Sequence, residues 1–283
     1  MKGSIERILL LIGFIGSAVT IIVAYRQFVD GATQDGSFGL AILAFFCLII
    51  LVFAIVQEYR FSRKSRYIEA FSYIDLAYQA CITRDEDKCF LDVCNNLTNA
   101  FSLITGANCS CCIKTFDPPE DRTSTVNQFF ISTLCRDSKP QQRKNKTRDI
   151  HHDLDRNTDF RAIFRHRNDV FYANNLPLLS NYANTSFEVY GDPKDVPTPF
   201  LRSFIRDRQW PLPYKSTIVA PIVSQNHKDI HNDTLVGFLC IDSPARGAFN
   251  RRYDVDMVKS LAIALYPMIS SWYDRRSNPE GEK

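Results

Sequence analysis

The sequence predicts an α+β chain: two N-terminal transmembrane helices, then a domain whose central antiparallel sheet is flanked by helices. Three observations predict it. Long uncharged apolar runs are confined to residues before 57, strand-like segments lie in the middle of the remainder, and helical periodicity marks both of its ends. The 283 residues carry a formal charge of +3, too small for a nucleic-acid footprint. The one basic run, Arg143 to Arg148, sits among Gln, Asn and Lys and reads as a solvated loop, so no nucleic-acid partner is expected.

Ile8 to Tyr25 and Phe38 to Val56 contain no charged residue. Each reaches the roughly 18–20 residues that cross about 30 Å of hydrocarbon as a helix. Lys2 and Arg7 precede the first run, Arg60, Arg63, Lys64 and Arg66 follow the second, and only Arg26 lies between. The positive-inside rule then places both termini in the cytoplasm, at an inner (plasma) membrane. A cleaved signal peptide is the competing reading of the first run, with Ile22-Val23-Ala24 as a weak cleavage pattern. Its length and the second run directly after it favour a span. Neither run holds an Asp, Glu, Lys, Arg or His, which predicts an anchor rather than an ion pathway.

Gln57 to Thr83 lacks Gly and Pro and predicts a helical linker. Tyr67, Phe71, Ile74, Tyr78 and Cys81 follow a 4-3-4-3 spacing, either the seam of a short coiled coil or the buried face of an amphipathic helix. Thr83 and Glu86 form a capping box for a second helix, whose apolar face is Phe90, Cys94, Leu97, Phe101 and Ile104 and which stops at Gly106. Strands are predicted at Cys109 to Phe116, Val126 to Leu134 and Asp169 to Ala173. Asp159 to Phe164 reads as a short helix capped by Asn157 or Thr158. Leu176 to Pro213 is mostly loop, with one helix from Pro199 to Arg208. Lys215 to Val223 and Leu235 to Asp242 are the clearest strands. A closing helix runs from Asn250 to Trp272, with a stripe of Val255, Val258, Ala262, Leu265, Ile269 and Trp272 and a bend at Pro267.

Four segments resemble the GAF domain, a small-molecule sensor module. They are Tyr214 to Ile222, with Ser216 ahead of apolar residues and Pro221; Leu235 to Asp242, with Gly237 and the closing Asp; Phe249 to Ile269; and Asp169 to Leu176. The likeness covers about residues 85 to 272 and implies an antiparallel sheet with a ligand held between it and the irregular segment. The residue set of cyclic-nucleotide-binding members is not recognisable, and no Cys-His pair for bilin attachment occurs. No kinase, cyclase or phosphodiesterase follows the domain, so the output is expected in the spans or in a separate protein.

Within that resemblance the expected ligand-binding residues are Arg202, Arg206, Trp210, Tyr214 and Ser216. Arginines beside aromatic rings suit an anionic, stackable ligand such as a nucleotide. The bland alternative is a surface helix with solvated arginines over a core Trp. Nine cysteines form no disulfide framework and read as reduced thiols. On a strand Cys109 and Cys111 face one way and Cys112 the other, so the three do not converge on one metal ion. His151, His152 and Asp153 read as a solvated loop rather than a metal site. No catalytic residue, cofactor or metal is expected. The predicted function is a non-catalytic sensor, with a homodimer formed through the heptad-like stripes. A nucleotide-activated membrane-disrupting effector and a cysteine-dependent GAF-like reductase are the alternatives.

Overall fold

The computed structural model describes residues 25–26, 36–82, 86–116, 129–138, 152–179, 181–192, 209–224 and 235–277. They fall into two compact units, Met1–Ser65 and Arg66–Lys283. Helix α1 (Gly36–Ile82) supplies the described part of the first unit and the opening turns of the second.

The two transmembrane helices expected at 8–25 and 38–56 require correction. The first lies outside the described residues apart from Tyr25. Among the described residues, no helix is long and apolar enough to cross a membrane. The two-span architecture falls with this finding, and so does the inner-membrane location with cytoplasmic termini derived from it.

The second unit is built on a six-stranded antiparallel sheet in the order β3-β2-β1-β6-β5-β4. The strands are β1 (Ser110–Phe116), β2 (Phe130–Arg136), β3 (His152–Asp153), β4 (Phe171–Ala173), β5 (Ser216–Ile222) and β6 (Gly237–Ser243). β5 and β6 are buried along their whole length, so both faces of the sheet are covered. Period-two alternation separates the faces. Cys111 and Ile113 of β1, Leu239 and Ile241 of β6, and Ile218, Ala220 and Ile222 of β5 join one apolar cluster with helices α2 (Glu86–Thr105) and α5 (Asp254–Ser277). Cys112, Val219, Phe238 and Cys240 point the other way and meet Leu154, Phe160, Ile163 and Phe164. The last three belong to α3 (Thr158–Phe164).

The helices begin and end where local chemistry requires. α2 buries Phe90, Cys94, Leu97, Phe101 and Ile104. It stops where Gly106 takes φ +71° and donates its N–H to Ser102 O at 2.9 Å, the left-handed closure that glycine accepts without strain. Ahead of α5, Asn250 Oδ1 accepts the N–H groups of Arg252 and Tyr253, while the Asp254 carboxylate accepts Asn250 N–H at 2.6 Å, a reciprocal cap. Residues 83–85, including the Thr83 cap expected for α2, lie outside the described residues.

The α5 stripe is taken up inside the unit, and the α1 stripe only in part. Val258, Ala262, Leu265 and Ile269 of α5 are fully buried against the sheet. In α1, Ala70 and Ala77 are fully buried and Tyr67 donates to Asp254 Oδ1 at 2.6 Å, whereas Phe71 and Tyr78 are exposed. The seam is therefore rotated from the one expected, because two alanines permit closer helix approach than two aromatics.

β6 starts at a glycine for a steric reason. A Cβ on Gly237 would run into the carbonyl of Lys114 on β1. Gly237→Ala is therefore expected to cost about 1–3 kcal/mol in urea unfolding, the range for forcing extra atoms into a packed core. An unchanged midpoint would mean that β1 and β6 do not approach as closely as described.

Candidate functional site

The face of the sheet turned away from α2 and α5 carries the chemistry. Lys114 follows Cys112 by two residues on β1, and Asp242 follows Cys240 by two on β6, so strand periodicity puts all four on this face. β2 contributes through a bulge. Cys112 pairs with Arg136 and Ile113 with Cys135, but Lys114 pairs with Thr133, leaving Leu134 as the extra residue. Positions 133 and 136 would point to opposite faces in a regular strand. The bulge lets both serve the same side, where Lys114 Nζ donates to Thr133 Oγ1 at 3.1 Å.

The covering layer is the irregular segment that begins at β3 and includes α3, the 3-10 turn Leu176–Leu178 and α4 (Phe187–Tyr190). A polar network ties it together. His152 Nδ1 lies 2.7 Å from Thr185 Oγ1, and Asn157 Oδ1 accepts the N–H of Thr185 at 3.1 Å. Asn184 Nδ2 donates to the hydroxyls of Tyr182 and Tyr214 at 3.1 and 3.2 Å. Between layer and sheet lies a cavity of about 480 Å³, open mouth included. The charged groups lining it are Lys114, Arg136, Asp159 and Asp242; His152, Asn184, Ser186, Tyr214 and Thr217 add polar groups, and Cys112 and Cys240 form part of its floor.

Two of these charges are internally satisfied. The Asp242 carboxylate accepts the Thr217 hydroxyl at 2.6 Å. Asp159 accepts its neighbour's N–H, from Phe160, at 2.9 Å and the Tyr182 hydroxyl at 3.3 Å. Burial pushes the Asp159 carboxyl up to about 6 and pushes the Lys114 ammonium down. Burial also works against the charge of Arg136, but the neighbouring Cys112 and Asp242 outweigh it and hold the guanidinium protonated. Arg136 Nη1 is shielded from solvent and has no hydrogen-bond partner among the described residues.

The sequence-predicted ligand residues are only partly brought together. Tyr214 lines the cavity. Trp210 does not: its ring packs against Tyr182 and Phe187, and its Nε1 donates to Tyr214 O at 2.7 Å. Ser216 is fully buried beside the backbone carbonyls of Asn174 and Ala245, at 2.9 and 2.7 Å. Arg202 and Arg206 lie outside the described residues. His152 is buried in β3 rather than in a solvated loop, and among the described residues no group of three or more potential ligands is placed to hold a metal ion. Sequence reasoning missed Lys114, Arg136, Asp159 and Asp242. A charge interrupting each of two otherwise apolar strands was the available signal for Lys114 and Asp242.

Similarities to solved structures bear on the fold. The chain is similar to the GAF domain of an Acinetobacter phosphoenolpyruvate-protein phosphotransferase, at 9% identity and TM-score 0.45 over 72% of this chain and 94% of that one. A putative GAF sensor protein from Burkholderia vietnamiensis gives 15% identity and TM-score 0.40 over 76% and 99%. The free methionine-R-sulfoxide reductase of Neisseria meningitidis, solved with its substrate, gives 11% identity and TM-score 0.42 over 73% and 93%. No protein-family model matches the sequence, and no curated protein is similar to it. The second unit is an α+β domain whose antiparallel sheet is flanked by helices. At these identities and TM-scores the likeness carries no argument about function, so the chemistry must be argued from this cavity alone.

Asp159 has a consequence for stability. Its carboxyl binds a proton more tightly folded than unfolded, so its contribution is fully present below the ordinary value of 3.8 and is lost as pH rises through about 6. Between pH 4 and 7 the wild type should lose stability relative to Asp159→Asn, by up to about 3 kcal/mol for a shift of this size. Urea midpoints of both proteins at pH 4, 5, 6 and 7 measure it. Parallel pH curves would show that Asp159 titrates normally.

Proposed function

We propose that the GAF-like domain is a non-catalytic sensor that binds a small anionic molecule in the cavity between its sheet and covering layer. One observation carries the reading: Arg136 Nη1 is buried at the cavity and lacks a partner among the described residues. An orphaned buried donor costs about 1–3 kcal/mol and more when charged, so the position favours a ligand that supplies an acceptor. Lys114 adds a second positive charge on the same face. Both acidic residues of the lining already accept hydrogen bonds from other groups of the protein. A carboxylate or phosphate group would supply the acceptor for Arg136 Nη1, and planar Arg geometry suits either.

The stacking half of the expected nucleotide-like ligand is dropped, because the ring of Trp210 is packed within the covering layer. Anion binding is retained, now centred on Arg136 and Lys114 with Tyr214 at the rim. Ligand-dependent closure of the covering layer is the step that would be passed to a partner protein. The expected homodimer has separate support in Ile68, Phe71, Tyr78 and Ile82, exposed on one face of α1 at heptad positions broken only by Asp75. A second copy of the same helix covers such a face.

Two measurements test these readings. A melting-temperature screen of the full chain against small carboxylates and phosphate monoesters should find compounds that stabilise the wild type and lose that effect in Arg136→Gln. Equal stabilisation of both proteins would place the ligand elsewhere, and no stabiliser at all would remove anion sensing. Sedimentation of Phe71→Glu with Tyr78→Glu should give half the mass of the wild type. A wild type that is already monomeric would remove the dimer.

A further inference from the structure

The cavity floor holds a pair of thiols that the anion-sensing reading does not use. Cys112 of β1 and Cys240 of β6 are directly opposite in the antiparallel register. Opposed residues in such a pair lie about 4.5–5.5 Å apart at Cα with side chains on one face, inside the roughly 4.4–6.8 Å that a disulfide requires. The register sets the two thiols side by side on that face, Cys112 against Cys240. Both line the cavity. Arg136 is the register partner of Cys112 on its other side, and Lys114 is two residues along the same face.

We propose that Cys112 and Cys240 are a redox-active dithiol that a small hydroperoxide entering the cavity converts into a cross-strand disulfide. Cys112 is the attacking sulfur. The hydrogen bond from Cys240 and the positive charges of Arg136 and Lys114 draw its thiol down to about 6, against burial, while Cys240 is pushed up and keeps its proton. In the first step the Cys112 thiolate attacks the terminal oxygen of the hydroperoxide. An S–O bond forms, the O–O bond breaks, and the departing alkoxide or hydroxide takes up a proton, leaving Cys112 as a sulfenic acid. In the second, the Cys240 sulfur attacks the sulfenic sulfur, the S–O bond breaks, and the hydroxyl leaves as water with the Cys240 proton. The hydroperoxide is reduced by two electrons to an alcohol or water, and the two thiols are oxidised to one disulfide.

The chemistry is specific to this face. Cys94 and Cys111 are buried in the helix-side cluster, where Cys135 also packs. Burial pushes Cys111 up to about 11, and Cys94 is also raised, first by its hydrogen bond with Cys111. Anion binding and dithiol oxidation share a cavity but do not require each other. A disulfide mapped without any ligand supports this proposal alone, and ligand stabilisation lost in Arg136→Gln supports the sensor reading alone.

The test uses the reduced, desalted full chain and hydrogen peroxide. One equivalent should remove 2 Da from the intact mass, and proteolytic mapping should join the Cys112 and Cys240 peptides, reversibly with dithiothreitol. Cys240→Ser should instead accumulate a dimedone-reactive sulfenic acid at Cys112, and Cys112→Ser should give neither product. Arg136→Gln should slow the wild-type reaction ten-fold or more. A disulfide joining other cysteines, or a Cys112–Cys240 pair still reduced when the remaining thiols have reacted, would overturn the proposal. If either serine variant fails to fold, the wild-type map decides alone.

Discussion

Strand parity in β1 and β6 governs the rest of the second unit. Helices α2 and α5 need an apolar floor, and Cys111, Ile113, Leu239 and Ile241 supply it from alternate positions. The intervening residues are then committed to the opposite face. Those residues include Lys114 and Asp242, two charges that a single-sided sheet would leave in water. Here a second layer covers them, so each must find a partner or bear the desolvation cost of a buried charge.

The partners come from nearby backbone geometry more than from complementary charges. The β2 bulge at Leu134 turns Thr133 toward Lys114 while keeping Arg136 beside Cys112. Thr217, opposite Asp242 on β5, donates to its carboxylate. In the covering layer, Asp159 takes the N–H of Phe160 and the Tyr182 hydroxyl. Each contact satisfies one group and fixes one loop, so the polar network also shapes the cavity. Arg136 is the exception among these charges, with one nitrogen left over.

Much of the fold was legible because apolar periodicity survives in a single sequence. The face of α2 from Phe90 to Ile104, the stop at Gly106 and the cores of β1, β5 and β6 all follow from spacing and turn chemistry. β2 runs to Arg136, past the expected end at Leu134, because its bulge breaks the alternation that announces a strand. β3 is only His152–Asp153, too short for any periodic signal. The cavity was less legible still. Its cationic residues sit on β1 and β2, remote in sequence from the Pro-rich segment where arginines and aromatics suggested a ligand. Trp210 and Ser216 were read as site residues from type and position. Their hydrogen bonds to Tyr214 O and to the carbonyls of Asn174 and Ala245 show them tying loops to the sheet edge.

Cys111 and Cys112 display how little residue type decides by itself. They are adjacent in sequence and fully buried, yet their thiols are driven in opposite directions. Cys111 faces helix side chains that offer no charge to hold a thiolate, so desolvation prevails. Cys112 faces a donor thiol and two cations, so attraction prevails over the same burial penalty. The pleat separates the two environments by one residue. A substitution or insertion that shifted β1 by one position would exchange these environments, expose the apolar floor to the cavity and bury Lys114 under α2. The same alternation that secures the helix-side core therefore also preserves the chemistry of the opposite face, and neither can drift without the other.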